Sequence, residues 1–285
     1  MAQAIEGVVN QKTNFRFQLV IGNDASTDDT LKICKNYQNK YGNRIKLITH
    51  DKNIGLINNF IETSKSLTGK YIAICDGGDY WTDLDKLQKQ VDFLDKNNDY
   101  SIVFGKCRRL YSSGKISEKS MNFERNNFDF TDLVMNNFIP SVTVLFKNSE
   151  ILKNLPSWFF NLPYGDWPIY LYIVSDGSKI FFFDEYFAVY RVEVGESFKL
   201  RKKLSNVFKT DMFILENLRK ELGFEKGQEN FKKSIQKKKK SLILAYNREG
   251  NYIGAFCEYL KLVLFHGEIK FTKLYFYSLI KVFNA

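Results

Sequence analysis

The sequence predicts an α/β protein in which a mostly parallel central sheet is followed by amphipathic helices. Three observations carry that reading. Over the first hundred residues, short apolar runs of strand length alternate with stretches of helical spacing. Two of those runs end on an aspartate, Asp24 and Asp76. From about residue 197 the strand signal stops and positive charge accumulates, which divides the chain into an α/β domain, 1–196, and a basic helical region, 197–285.

Residues 2–9 have the spacing of an amphipathic helix. Phe17, Leu19, Val20 and Ile21 make a short apolar run that stops at Gly22-Asn23-Asp24, a buried strand followed by a loop. Ser26 is placed to cap the next helix, with Asp29 three residues on. Leu31, Cys34, Tyr37 and Tyr41 follow at helical intervals, and Gly42 ends the helix. Residues 45–48 predict a second strand and 56–67 a second amphipathic helix. Tyr71-Ile72-Ala73-Ile74-Cys75 is a third buried strand and leads into Asp76. Strands joined by helices in this way run parallel, and such sheets bind ligands at the carboxyl ends of their strands. Asp24 and Asp76 both sit there. Residues 84–97 predict a helix with Leu87, Val91 and Leu94 on one side. Strands are expected at 101–104 and 142–146, separated by a polar excursion over 112–127. Trp167 and Pro168 open an apolar helix that Gly177 stops, and Ala188-Val189-Tyr190 is a last strand.

Bulk properties narrow the function classes. With 44% hydrophobic and 16% aromatic residues, the chain has material for a large core. Its four cysteines are scattered and form no C-x-x-C pair, as expected of reduced thiols in a cytosolic protein. Two distant histidines, His50 and His266, cannot make a histidine metal centre, so a metal would be held by oxygen, as magnesium or manganese are. No apolar run approaches the roughly 20 residues that span a bilayer, and Glu6 interrupts any secretory leader. The expected location is cytoplasmic, soluble or peripheral on the inner face of the cell membrane.

Asp76-Gly77-Gly78-Asp79 is the densest chemical signal. Two carboxylates on one tight turn, with glycines between, would hold a hard cation and let a diphosphate approach the backbone. The same residues also suit a plain turn.

Gly22-Asn23-Asp24-Ala25-Ser26-Thr27-Asp28-Asp29-Thr30 resembles the donor-base loop of glycosyltransferase family 2, and Asn53-Ile54-Gly55 with Asn59 resembles that family's next loop. Residues 69–81, followed by Lys86-Leu87-Gln88-Lys89-Gln90, resemble its strand and acidic motif. Gly165-Asp166-Trp167 is similar to the segment that supplies the catalytic base, and Ala188-Val189-Tyr190-Arg191 to the strand closing the site. These five matches lie in family order over roughly residues 2–196. The resemblance implies a GT-A type nucleotide-binding domain and inversion at the anomeric carbon. It implies Asp166 as catalytic base, and Asp24, Asn53, Gly55, Asp76 and Arg191 against a nucleotide-sugar donor. It further implies Asp76 and Asp79 holding Mg or Mn, and a glycan or lipid-linked acceptor, as in bacterial surface-polysaccharide synthesis.

The bland readings are a helix cap for Asp166, a turn for Asp24, and an ion pair with Asp184 or Glu185 for Arg191. Three departures accompany the resemblance. Gly78 stands where the acidic motif usually has Asp. The chain begins in the helix after the family's first strand, which would leave two strand edges exposed. Arg191 leads into Val192-Glu193 rather than a histidine, with Glu193 either an oxygen ligand or solvated. A catalytically impaired nucleotide-sugar-binding protein is the alternative these departures raise.

The charge is lopsided. Residues 197–285 hold 19 Lys/Arg against 8 Asp/Glu, whereas residues 1–196 hold 23 against 24. Basic clusters at 201–203 and 232–240 precede Ile253, Phe256, Leu260 and Leu264 at helical spacing, a pattern that suits an anionic membrane surface or a helical subdomain with a solvated lysine face. No signature of a nucleic-acid-binding module accompanies the charge, so nucleic acid is not an expected partner.

Overall fold

The protein is described by a computed structural model covering residues 1–118, 122–194, 198–200, 202–222 and 227–283, without the side chains of 265, 266 and 281–283. It divides into two compact units, residues 1–133 with 137–196, and 134–136 with 197–285.

The first unit opens with α1 (Ala2–Val9), β1 (Leu19–Asn23), α2 (Thr30–Tyr41), β2 (Ile45–Thr49) and α3 (Leu56–Ser64). β1 and β2 pair in parallel, and Ile5, Val9, Ile21, Cys34 and Ile45 fill the core between this two-stranded sheet and its helices. Gly42, at φ 57°, ends α2 in a conformation that costs other residues a Cβ clash. Ser26 does not cap α2: the cap position is Asp29, and Asp28 Oδ1 accepts from the Thr30 N–H at 3.0 Å.

The larger sheet contains β3 (Tyr71–Ala73), β4 (Tyr80–Trp81), β5 (Tyr100–Leu110), β6 (Ile116–Ser117), β7 (Asn127–Phe128), β8 (Leu145–Lys147) and β9 (Lys179–Arg191). Its order is β3-β8-β5-β9-β4, with β6 on β5 and β7 on β9. Among the described residues only β5–β9 is parallel within it, so the sheet is mixed rather than mostly parallel. The reason is local: past α4 (Lys86–Lys96) strands no longer alternate singly with helices, and β8 inserts antiparallel between β3 and β5. Among the described residues β1 pairs only with β2 and β3 only with β8, so each keeps one unpaired edge.

Two close contacts fix what surrounds the acidic turn. A Cβ on Gly7 would lie 2.8 Å from the Trp81 backbone, so α1 rests directly on β4. Three buried side chains then hold successive carbonyls of the segment ahead of β8. Trp81 Nε1 donates to Val142 O at 2.8 Å, Gln90 Nε2 to Thr143 O at 2.8 Å, and Lys86 Nζ to Val144 O at 3.4 Å. Lys86 is fully buried, lies 4.1 Å over the Trp81 ring, and burial pulls its pKa down to about 7.

After α5 (Phe130–Met135) and α6 (Asp166–Ile173), the second unit consists mainly of α7 (Leu204–Leu222), α8 (Gln228–Arg248), α9 (Tyr252–His266) and α10 (Thr272–Phe283). Ile243, Ala255, Tyr259, Leu262, Phe271 and Tyr275 form one of its apolar clusters. The lysine run is partly internal: Lys238 is buried against Asp211 at 2.5 Å, and Lys240 pairs with Glu268 at 2.8 Å.

Candidate functional site

Asp24 sits immediately after β1. Its two carboxylate oxygens accept from the N–H groups of Ile54 (2.7 Å) and Gly55 (2.9 Å) at the start of α3, where the helix end offers unsatisfied donors. Asn53 closes the clasp, donating to Asp24 O at 3.2 Å and accepting from Gly55 N–H at 3.1 Å. Gly55 adopts φ 88°, which requires glycine there. The clasp explains why the Asp24 and Asn53-Ile54-Gly55 motifs occur together: each fixes the other's backbone. An open depression of about 470 Å³, lined by Thr49, His50, Asp51, Lys52 and Ile54, adjoins it.

The acidic turn follows β3 and is closed by Asp79 N–H donating to Asp76 O at 2.9 Å. Asp76 faces solvent, yet the protein around it desolvates its carboxylate and raises its pKa, and the Asp166 charge pushes the same way. Asp79 is buried, at 3% exposure, and accepts the Arg191 backbone N–H at 2.8 Å. Burial first, then the Asp76 charge, push its pKa up to about 7, against the lowering effect of Arg191. The Arg191 guanidinium donates to Gly78 O and to Gln3 Oε1 and lies 5.1 Å from the Tyr80 ring centre. Asp184 and Glu185 are instead paired with Lys106 and Lys89, so Arg191 belongs to the acidic turn. Glu193 holds Ser112, accepting from its hydroxyl at 2.6 Å.

Asp166 is the first residue of α6, reached from Gly165. A side chain at Gly165 would strike the buried Phe159 ring at 2.5 Å, so glycine lets the helix start close to that ring. Asn137 Nδ2 donates to Asp166 Oδ2 at 3.1 Å while Asn137 Oδ1 accepts from Ile139 N–H at 3.2 Å. The second bond fixes the amide so that its NH₂ faces the carboxylate. One turn along α6, Tyr170 is fully buried, its hydroxyl has no hydrogen-bond partner, and the charges of Asp166 and Asp76 both raise its pKa beyond the effect of burial.

Asp76, Asp79, Asp166 and Arg191, spread over more than a hundred residues of sequence, thus form one electrostatically coupled group. Asp24, Asn53 and Gly55 form a second group at the end of β1. Asn137 and Tyr170 were not found from the sequence. Neither lies in a local motif, and only the fold brings Asn137 to a residue 29 positions away.

A cation suits the acidic turn on chemical grounds. The Asp76 charge raises the cost of ionising Asp79, the Asp166 charge that of Asp76, and the Arg191 head group is spent on Gly78 O and Gln3 rather than on either carboxylate. No group of three or more His, Cys, Asp or Glu ligands exists among the described residues. Two carboxylates plus diphosphate oxygens match how magnesium is usually held.

The model of glycosyl transferase family 2 matches residues 1–151. An uncharacterized protein of Mycobacterium tuberculosis, Rv1520, is 34% identical over 191 residues, 66% of this chain and 54% of that protein. The chain spans about half the length of this protein and of two further curated relatives matched at the same identity. Among solved structures, Staphylococcus aureus TarS 1–349 in complex with UDP has a TM-score of 0.57 at 17% identity, covering 88% of this chain and 68% of that one. The mannosyltransferase PcManGT from Pyrobaculum calidifontis, in complex with GDP-Man and Mn2+, has a TM-score of 0.59 at 14% identity, covering 98% and 80%. At such identities the likeness speaks to the fold, which is of the GT-A type.

Proposed function

The chain belongs to glycosyl transferase family 2, and from that premise we propose that it moves a sugar from a nucleoside-diphosphate donor to a hydroxyl of a glycan or lipid-linked acceptor, inverting the anomeric carbon, in cell-surface polysaccharide synthesis. What supports this reading is that the Asp166 charge reaches both Asp76 and the buried Tyr170, raising the pKa of each, as expected if Asp166 is a base acting near the acidic turn. Asp166, oriented by Asn137, accepts the proton of the acceptor hydroxyl. The acceptor oxygen bonds to the anomeric carbon as the bond from that carbon to the diphosphate oxygen breaks, and the nucleoside diphosphate departs. Asp24, Asn53 and Gly55 shape the loop for the nucleotide, and Arg191 steadies the acidic turn beneath the diphosphate. Asp76 and Asp79 would hold magnesium or manganese, which when bound neutralises charge on the leaving diphosphate. UDP in TarS and GDP-Man with Mn2+ in PcManGT support a donor and metal of this class.

The test is transfer. Across a panel of nucleotide sugars with manganese, the chain is expected to consume one donor, and Asp166→Asn is expected to cut turnover about 10²-fold or more while donor binding persists. A folded chain that binds donors yet turns over none would sink the transferase reading. Gly78 motivates the second reading, a donor-binding protein without turnover. An added Cβ there meets nothing within 4 Å, so Gly78→Asp is sterically free. Nucleotide binding without turnover, unrestored by that variant, would favour the second reading, and robust turnover by the chain as it stands would exclude it.

A further inference from the structure

The second unit leaves apolar side chains uncovered on two neighbouring helices. On α9, Ile253 is 80% exposed and Leu264 72%, with Phe256 and Leu260 also exposed. At about 100° per residue these four share roughly 80° of the helix circumference. The opposite side carries Ala255, Tyr259 and Leu262, which are buried in the unit's core. The helix therefore carries apolar residues on both faces, and among the described residues one of these faces is packed in the core while the other stays exposed. On α10, Phe276 and Tyr277 are exposed while Tyr275 is buried. The rings of Phe256 and Phe276 each neighbour the buried Tyr259, at 6.5 and 6.3 Å, so the two exposed sets flank one ring of the core. Exposed apolar surface grouped in this way marks an interaction site.

Charge identifies the occupant. Lys270 and Lys273 are exposed beside the apolar residues, α10 contains no Asp or Glu, and the whole region 197–285 has 11 more positive than negative residues. A second copy docked on the same face would set like charges against each other, which is unfavourable. No helix is long and apolar enough to cross a membrane among the described residues. An apolar stripe with aromatic residues and a lysine rim is the form of a helix lying in the plane of a membrane interface. We propose that the exposed face of α9 and α10 docks on an anionic lipid bilayer, the apolar side chains entering the headgroup boundary and the lysines meeting anionic headgroups. The proposal rests on no part of the transferase reading.

The experiment is flotation of the full chain with vesicles of phosphatidylcholine, alone and mixed with phosphatidylglycerol. Binding is expected to the anionic vesicles and to weaken with salt. The variant Ile253→Ser/Phe256→Ser/Leu264→Ser is expected to lose about tenfold or more in partitioning with unchanged circular dichroism. Lys270→Glu/Lys273→Glu is expected to bind more weakly and with less salt dependence. Cys257 lies on the exposed face, so an environment-sensitive dye attached there reports burial without altering the stripe, and its emission is expected to shift blue on anionic vesicles. No flotation, an unshifted dye, or wild-type partitioning by the triple variant would each overturn the proposal. So would a dimer dissolved by the stripe substitutions while vesicle binding stays the same, which would make the occupant a second copy.

Discussion

Asp79 and Lys86 are two buried groups whose pKa values are displaced towards 7 from opposite sides. Asp79 is raised in the folded state, so the native protein holds a proton that the unfolded chain releases above its ordinary pKa of 3.8, and stability falls as pH rises from about 4 through 7. Lys86 is lowered, so the unfolded chain holds the extra proton between about 7 and 10.5, and stability climbs as pH rises across that window. Together they place a minimum near neutrality. Urea unfolding against pH is expected to lose its acid limb in Asp79→Asn and its alkaline limb in Lys86→Met. Asn137 acts on the other carboxylate. Its N–H donates to the Asp166 carboxylate and so favours the ionised form; Asn137→Leu is expected to move the acid limb of kcat/KM to higher pH, read from the pH–rate profile once a donor is found. A purely structural role for Asn137 would lower kcat without moving that limb. Asp24, Asp76 and Asp166 were legible in the sequence because each follows a recognisable strand or opens a recognisable helix. Asn137 and Tyr170 were not, because what distinguishes them is a partner, or the lack of one, that only tertiary packing supplies.

Elements were legible where neighbours in sequence are neighbours in space. The parallel β1–β2 pair, the helix over Ala2–Val9 and the stop at Gly177, φ 92°, follow from local apolar spacing and glycine placement. The strand expected at 101–104 extends instead over Tyr100–Leu110, and the one expected at 188–190 over Lys179–Arg191. Each is the other's parallel partner, and that long pairing sustains polar residues such as Lys106 and Arg108 that local patterning reads as loop. The strand expected at 142–146 lost its first half to a 3-10 turn at Ser141–Thr143, where the Trp81, Gln90 and Lys86 side chains take up the carbonyls. This comb has a testable consequence. Gln90→Leu strands Thr143 O and removes the acceptor that Lys86 Nζ holds at 2.7 Å. A loss of about 1–3 kcal/mol in unfolding free energy is expected, with lower turnover, because the same segment begins at Asn137.

At the scale of the molecule, residues 1–133 with 137–196 form one compact unit and residues 134–136 with 197–285 another. All the donor-site residues proposed above fall in the first, and the exposed apolar face falls in the second. A ligand that binds only the folded state stabilises whatever must be folded to bind it, by about 2.7 kcal/mol at a hundredfold excess over Kd. Nucleoside diphosphate with manganese is therefore expected to slow hydrogen exchange at the strand ends carrying Asp24 and Asp76, at the start of α3 and at the start of α6. Anionic vesicles are expected to slow it in α9 and α10. The two patterns separate the two readings within one measurement. Protection of α9 and α10 by nucleotide alone would mean that the units unfold as one, and the second unit would then serve the donor site as well as the bilayer.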